Sequence, residues 1–133
     1  MNRGGIRIGT SEVYRGVEKV EAVADSLVIS IELSGGRHYM PLFVQLKPGL
    51  TLNDEIIGQI KKSLRQDFTP RHVPDEVFQI DEIPYTMTGK KLETPIKKIL
   101  MGFDLEKSVN RDAMRNPETI DYFIEFSKVT QAM

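Results

Sequence analysis

The chain has no cysteine among its 133 residues. That absence excludes disulfides, a thiolate nucleophile and a zinc–thiolate centre, and it fits a cytoplasmic protein. No apolar run approaches the roughly 20 residues that a bilayer-spanning helix needs, so no membrane span is expected. An excess of either charge is lacking as well: 18 basic side chains stand against 19 acidic ones, a net −1. Such neutrality offers no electrostatic reason to expect a nucleic acid or another polyanion as partner, so any phosphate contact has to be local. His38 and His72 have no His or carboxylate neighbours at ligand spacing, and a metal site is not expected. Ser34 lacks the surroundings of a nucleophile elbow, and no Ser–His–Asp grouping presents itself. The first residues, Met1-Asn2-Arg3-Gly4-Gly5, lack the apolar stretch of a secretory leader. They open on a glycine-rich loop, which leads us to expect a piece of a longer polypeptide.

What is present suffices for one domain. Hydrophobic residues make up 40% of the chain and charged ones 28%, enough for one core and a solvated surface. Gly4-Gly5-Ile6-Arg7-Ile8-Gly9 reads as a loop or tight hairpin. Thr10 or Ser11 is placed to cap a helix whose buried side carries Val13, Val17 and Val20. Leu27–Leu33 and Tyr39–Leu46 read as two strands around Ser34-Gly35-Gly36-Arg37, an antiparallel hairpin. Pro41 cannot donate a ladder hydrogen bond and belongs at an edge or where pairing starts. Thr51 or Asn53 caps a helix to about Phe68, with Ile56, Ile57, Ile60 and Leu64 inward. Val77, Phe78 and Ile80 form a third strand that Pro84 ends. Thr94 and Pro95 look like the cap and first residue of another helix, and Asn116-Pro117 opens a last one with Ile120, Phe123, Ile124 and Phe126. The expected fold class is α+β: a small, mainly antiparallel sheet with helices packed on it.

Two glycine-plus-cation loops stand out. In Thr88-Gly89-Lys90-Lys91, glycine lets backbone approach a ligand while an ammonium reaches an anionic oxygen. The segment is no Walker loop, because Pro84 and Lys91 occupy positions that need glycine and Ser or Thr. Gly4-Gly5 beside Arg7 could lie along a slender ligand bearing phosphate. Taken alone, each is more often a solvated turn, and Arg65 on its helix more often a solvated charge.

Two stretches carry a resemblance: GGIRIGTSEVYRGVE (residues 4 to 18) and IPYTMTGKKLETPIKK (83 to 98). Together, in this order and at this separation, they resemble the C-terminal domain of the adenylate-forming superfamily of acyl-CoA synthetases, firefly-type luciferases and peptide-synthetase adenylation domains. GGIRIGTSEVYR at the start, PRHVPDEV (70 to 77), the GKKLETPIKK wording with Glu93, and the tail NPETIDYFIEF (116 to 126) are similar to the acetoacetate-activating branch of its acid–CoA ligases. The resemblance implies a mobile C-terminal domain over residues 1–102 and a helical extension over 103–133. Lys90 would be the catalytic lysine, bridging a carboxylate oxygen of the acid and the α-phosphate of ATP during adenylation. Gly4 and Gly5 would line the CoA tunnel. Arg7 would lie near phosphate of ATP/AMP or CoA, and a gapless count back from Lys90 puts Arg65 at the 3′-phosphate of CoA. The substrates implied are ATP with Mg2+, CoA and the acid, and the partner is an N-terminal domain of the same polypeptide. The rival reading is a free-standing α+β domain that binds a ligand or partner without catalysis.

Overall fold

The computed structural model describes residues 2–3, 6–7, 9–104 and 110–132. Along the chain run β1 (Asn2–Arg3), β2 (Ile6–Arg7), α1 (Thr10–Glu18), β3 (Val23–Val28), β4 (Ile31–Glu32), β5 (His38–Tyr39), β6 (Pro41–Leu46), α2 (Asp54–Asp67), β7 (Glu76–Gln79), α3 (Glu93–Leu100) and α4 (Ile120–Gln131). They divide into two compact units: Met1–Ser30 with Met40–Asp81, and Ile31–Tyr39 with Glu82–Met133.

The first unit holds a three-stranded sheet in the order β3-β6-β7. β3 and β6 run antiparallel, with Leu27 opposite Phe43 and Val28 opposite Leu42, as the hairpin reading requires. β7 joins β6 in parallel, so the sheet is mixed. A parallel return needs a crossover connection, and α2 supplies it between the two strands. β6 is central and buried at every position but Gln45, which explains its near-continuous apolar run. Pro41 is its first residue, where its missing N–H does least harm.

One face of the sheet, through Leu42, Val44 and Leu46, shares a core with Val13 and Val17 of α1 and Ile56, Ile60 and Leu64 of α2. On the other, Phe43 stacks on Phe78 with ring centroids 5.8 Å apart. The two helices approach closely because Gly16 has no side chain: a Cβ there would lie 2.6 Å from Leu64 Cδ2. Ser63 Oγ uses the same approach to donate to the Gly16 carbonyl at 2.7 Å.

The helix caps of α1 and α3 differ from the sequence expectation. Asn53 does cap α2, its Oδ1 accepting the Ile56 N–H at 2.9 Å. On α1 the cap is Gly9, not Thr10 or Ser11. Glu12 Oε1 accepts the Gly9 N–H at 3.4 Å, the reciprocal half of a capping box. On α3 the cap is Leu92, and Thr94 and Pro95 fall inside the first turn, where proline's missing N–H has no partner to lose. The strand expected over 27–33 is divided: β3 begins at Val23, and the later residues form β4, which pairs with β5 instead.

In the second unit, α3 lies against α4, with Ile96, Ile99, Leu100, Phe123 and Phe126 buried. Thr130 Oγ1 donates to the Leu100 carbonyl at 2.6 Å. Asn116-Pro117 opens a 3-10 turn over Pro117–Thr119 that leads into α4 at Ile120. Among the described residues no helix is long and apolar enough to cross a membrane.

Candidate functional site

The turn bearing Lys90 is built around Thr86. Its N–H donates to the Lys90 carbonyl at 2.8 Å, and its carbonyl accepts from the Gly89 N–H at 3.0 Å. Its hydroxyl accepts the Lys90 N–H at 3.0 Å and lies 3.0 Å from Thr88 Oγ1. Closing so short a turn requires a left-handed backbone, and Gly89 supplies it at φ +88°. The stem on either side is a bridge between Tyr85 and Lys91.

The side chains leave this stem unequally. Lys91 is half-buried, whereas Lys90 sits exposed at the tip beside exposed Met87, Thr88 and Gly89. Among the described residues no carboxylate pairs with the Lys90 ammonium. A cation held on a closed turn with no local counter-charge is suited to an anionic ligand brought by another surface.

The remaining sequence candidates lie in the other unit. Arg65 is exposed on the last turn of α2. Arg7 belongs to β2, where its backbone pairs with Asn2 of β1. Gly4 and Gly5 lie outside the described residues. Lys90 and Arg65 therefore belong to different units, and Arg7 shares a unit with Arg65. Among the described residues no three His, Asp or Glu side chains gather into a metal site.

Sequence reasoning missed a polar chain that touches the start of α1. His72 is only 5% exposed; its Nδ1 is 2.8 Å from Thr69 Oγ1 and its ring stacks on Phe68 at 5.1 Å. Its Nε2 lies 3.4 Å from Glu12 Oε2, without hydrogen-bond geometry, while Glu12 Oε1 faces the Gly9 N–H. Thr69, His72 and Glu12 thus link the loop after α2 to the residue that follows the glycine-rich hairpin. The PRH triplet lies within PRHVPDEV, but nothing local in that stretch points to a contact with Glu12. Asn116 was also missed, because an Asn-Pro pair before an apolar stretch reads as a helix start.

The comparisons with known proteins bear on the fold and the family. No family model matches the chain. It is 41% identical over 127 residues to acetoacetyl-CoA synthetase of Caenorhabditis elegans, an alignment covering 95% of this chain and 18% of that protein. The structure of acetoacetyl-CoA synthetase from Streptomyces lividans superposes with a TM-score of 0.85 at 40% identity, over 94% of this chain and 19% of that one. The anthranilate CoA ligase AuaEII, solved with anthranoyl-AMP, gives a TM-score of 0.62 at 25% identity over 68% of this chain and 18% of that one. Fold and sequence together define a C-terminal domain of the adenylate-forming, acyl-CoA synthetase superfamily. Within that superfamily, the chain matches the C-terminal part of the acetoacetyl-CoA synthetases. It spans under a fifth of the length of the relatives it matches, 18% in each of the curated cases.

Proposed function

We propose that the chain is the mobile C-terminal domain of a cytoplasmic ATP-dependent acid–CoA ligase acting on acetoacetate, and that by itself it is inactive. In this reading an N-terminal domain of the same polypeptide binds the acid, the MgATP substrate and most of CoA. The acid carboxylate attacks the α-phosphorus to give acyl-AMP and pyrophosphate. The CoA thiol then displaces AMP, giving acetoacetyl-CoA.

Lys90 serves the first step. Attack on phosphorus concentrates negative charge on its oxygens, and a preplaced ammonium stabilises that charge in a water-poor site. The observation that carries the reading is the closed Thr86–Lys90 turn. It presents an exposed cation, unpaired among the described residues, beside a left-handed glycine, in a chain that aligns with acetoacetyl-CoA synthetases along nearly its whole length. For the second step the domain turns another surface to the active site: Gly4 and Gly5 line the pantetheine path, Arg7 lies near phosphate, and Arg65 meets the 3′-phosphate of CoA. Residues 1–102 move as the domain and 103–133 form its extension.

The test is Lys90→Ala in the full-length ligase. Pyrophosphate exchange should fall hundreds-fold or more, corresponding to about 3–4 kcal/mol. Thioester formation from preformed acyl-adenylate should persist. Normal exchange by the variant would remove Lys90 from the mechanism, and exchange by the 133-residue chain alone would refute its dependence on an N-terminal domain.

A further inference from the structure

The Lys90 turn is braced from outside its own sequence. Residues 113–116 run beside 85–87 and form a short added strand, with Thr86 and Met114 as an antiparallel bridge pair. The Met87 N–H donates to the Ala113 carbonyl at 2.9 Å, and the Arg115 N–H to the Tyr85 carbonyl at 3.0 Å. Asn116 extends the ladder with its side chain. Its Oδ1 accepts the Tyr85 N–H at 3.1 Å, while its Nδ2 donates to the Ile83 carbonyl at 2.8 Å and faces Glu82 Oε2 at 3.3 Å. One side-chain amide thus does for the 83–85 backbone what the peptide group of a neighbouring strand would do. Met114, the bridge residue of the added strand, is buried at 4% exposure. The Arg115 guanidinium lies over the Tyr85 ring, 5.5 Å from its centroid.

We propose that residues 113–116 are a splint for the Gly89–Lys90 turn, and that Asn116 is a positioning residue for the lysine-dependent half-reaction. The inference rests on the role given to Lys90 above and assigns the tail segment a part in it. The turn has reason to need such support. Its own bonds all meet at Thr86 and its tip from Thr88 to Lys90 is exposed, so outside support has to act on Tyr85, Thr86 and Met87. A cation that stabilises a transition state has to arrive in register, and a misplacement of about 1 Å costs on the order of a hundredfold in rate. The splint holds the stem from the side opposite Lys91, so the turn travels as a rigid tip.

The experiment uses the full-length ligase with Asn116→Ala and the near-isosteric Asn116→Asp. The Asp variant keeps an acceptor for the Tyr85 N–H but sets a carboxylate against the Ile83 carbonyl and Glu82. Both should lower pyrophosphate exchange by about 10- to 100-fold. Both should leave thioester formation from preformed acyl-adenylate within about twofold, because that step does not use Lys90. A purely structural role would depress both half-reactions together. Unchanged exchange in both variants, or equal loss of both half-reactions in the Asp variant, overturns the splint. Lys90→Ala is run alongside: if it exchanges pyrophosphate normally, the lysine assignment fails first and the splint falls with it.

Discussion

Substituting Gly89 by alanine probes the lysine turn with the smallest possible change. The residue sits at φ +88°, a conformation that an L side chain adopts only at a cost of roughly 1–2 kcal/mol. The new Cβ would meet Arg115 Nη2 at 3.3 Å, and that atom ends an exposed, flexible side chain that can move aside. The backbone strain therefore dominates, and it has two outlets. If the turn keeps its shape, the whole 1–2 kcal/mol is lost from stability, and the thermal midpoint of the chain falls by roughly 3–8 °C. If instead the backbone relaxes to negative φ, the Gly89 N–H leaves the Thr86 carbonyl and the Lys90 N–H leaves the Thr86 hydroxyl. The ammonium is then displaced and adenylation falls. Thermal unfolding of the 133-residue chain by circular dichroism measures the first outcome, and pyrophosphate exchange by the full-length ligase measures the second. Gly89→Asn should recover part of either loss, since asparagine tolerates the left-handed region better than alanine. A Gly89→Ala variant with unchanged midpoint and unchanged exchange would refute the claim that this glycine shapes the turn.

Two further outcomes concern stability. His72→Ala removes a buried ring together with its Thr69 contact and its stack on Phe68, and should destabilise the chain by about 1–3 kcal/mol, read as a lower urea midpoint. Tyr122 on α4, 38% exposed, has its phenol pushed above the ordinary value of about 10 by desolvation. The folded state therefore holds that proton more tightly than the unfolded state. This stabilisation is intact below pH 10 and is lost as pH rises through the folded value. Spectrophotometric titration should place this phenolate above pH 10, with the unfolding midpoint falling over the same range; a titration at the ordinary value contradicts the burial argument.

Much of the architecture could be read from residue spacing, because burial imposes a period on helices and strands alike. Val13 and Val17 on α1, Ile56, Ile60 and Leu64 on α2, and Ile96, Ile99 and Leu100 on α3 are all buried where their spacing put them. The helix caps were less legible. Asn53 satisfies the orphan N–H of Ile56 three residues on and so can be seen locally, but Gly9 depends on Glu12 reaching back, and Leu92 caps without a side-chain bond. The direction of β7 was not legible either, since an apolar triplet has the same alternation whether it pairs parallel or antiparallel.

The sequence by itself determined the secondary-structure order, the α+β class and the Gly89-Lys90 turn with its cation, because each depends on neighbours within a few residues. Only the tertiary structure decided that β7 lies parallel to β6, that Glu12 and His72 meet, and that Asn116 reaches the backbone of Ile83 and Tyr85. These are meetings of groups from about 30 to 60 positions apart. No local propensity encodes them; they form when the chain closes on its core and buried polar groups must find partners wherever the fold brings them.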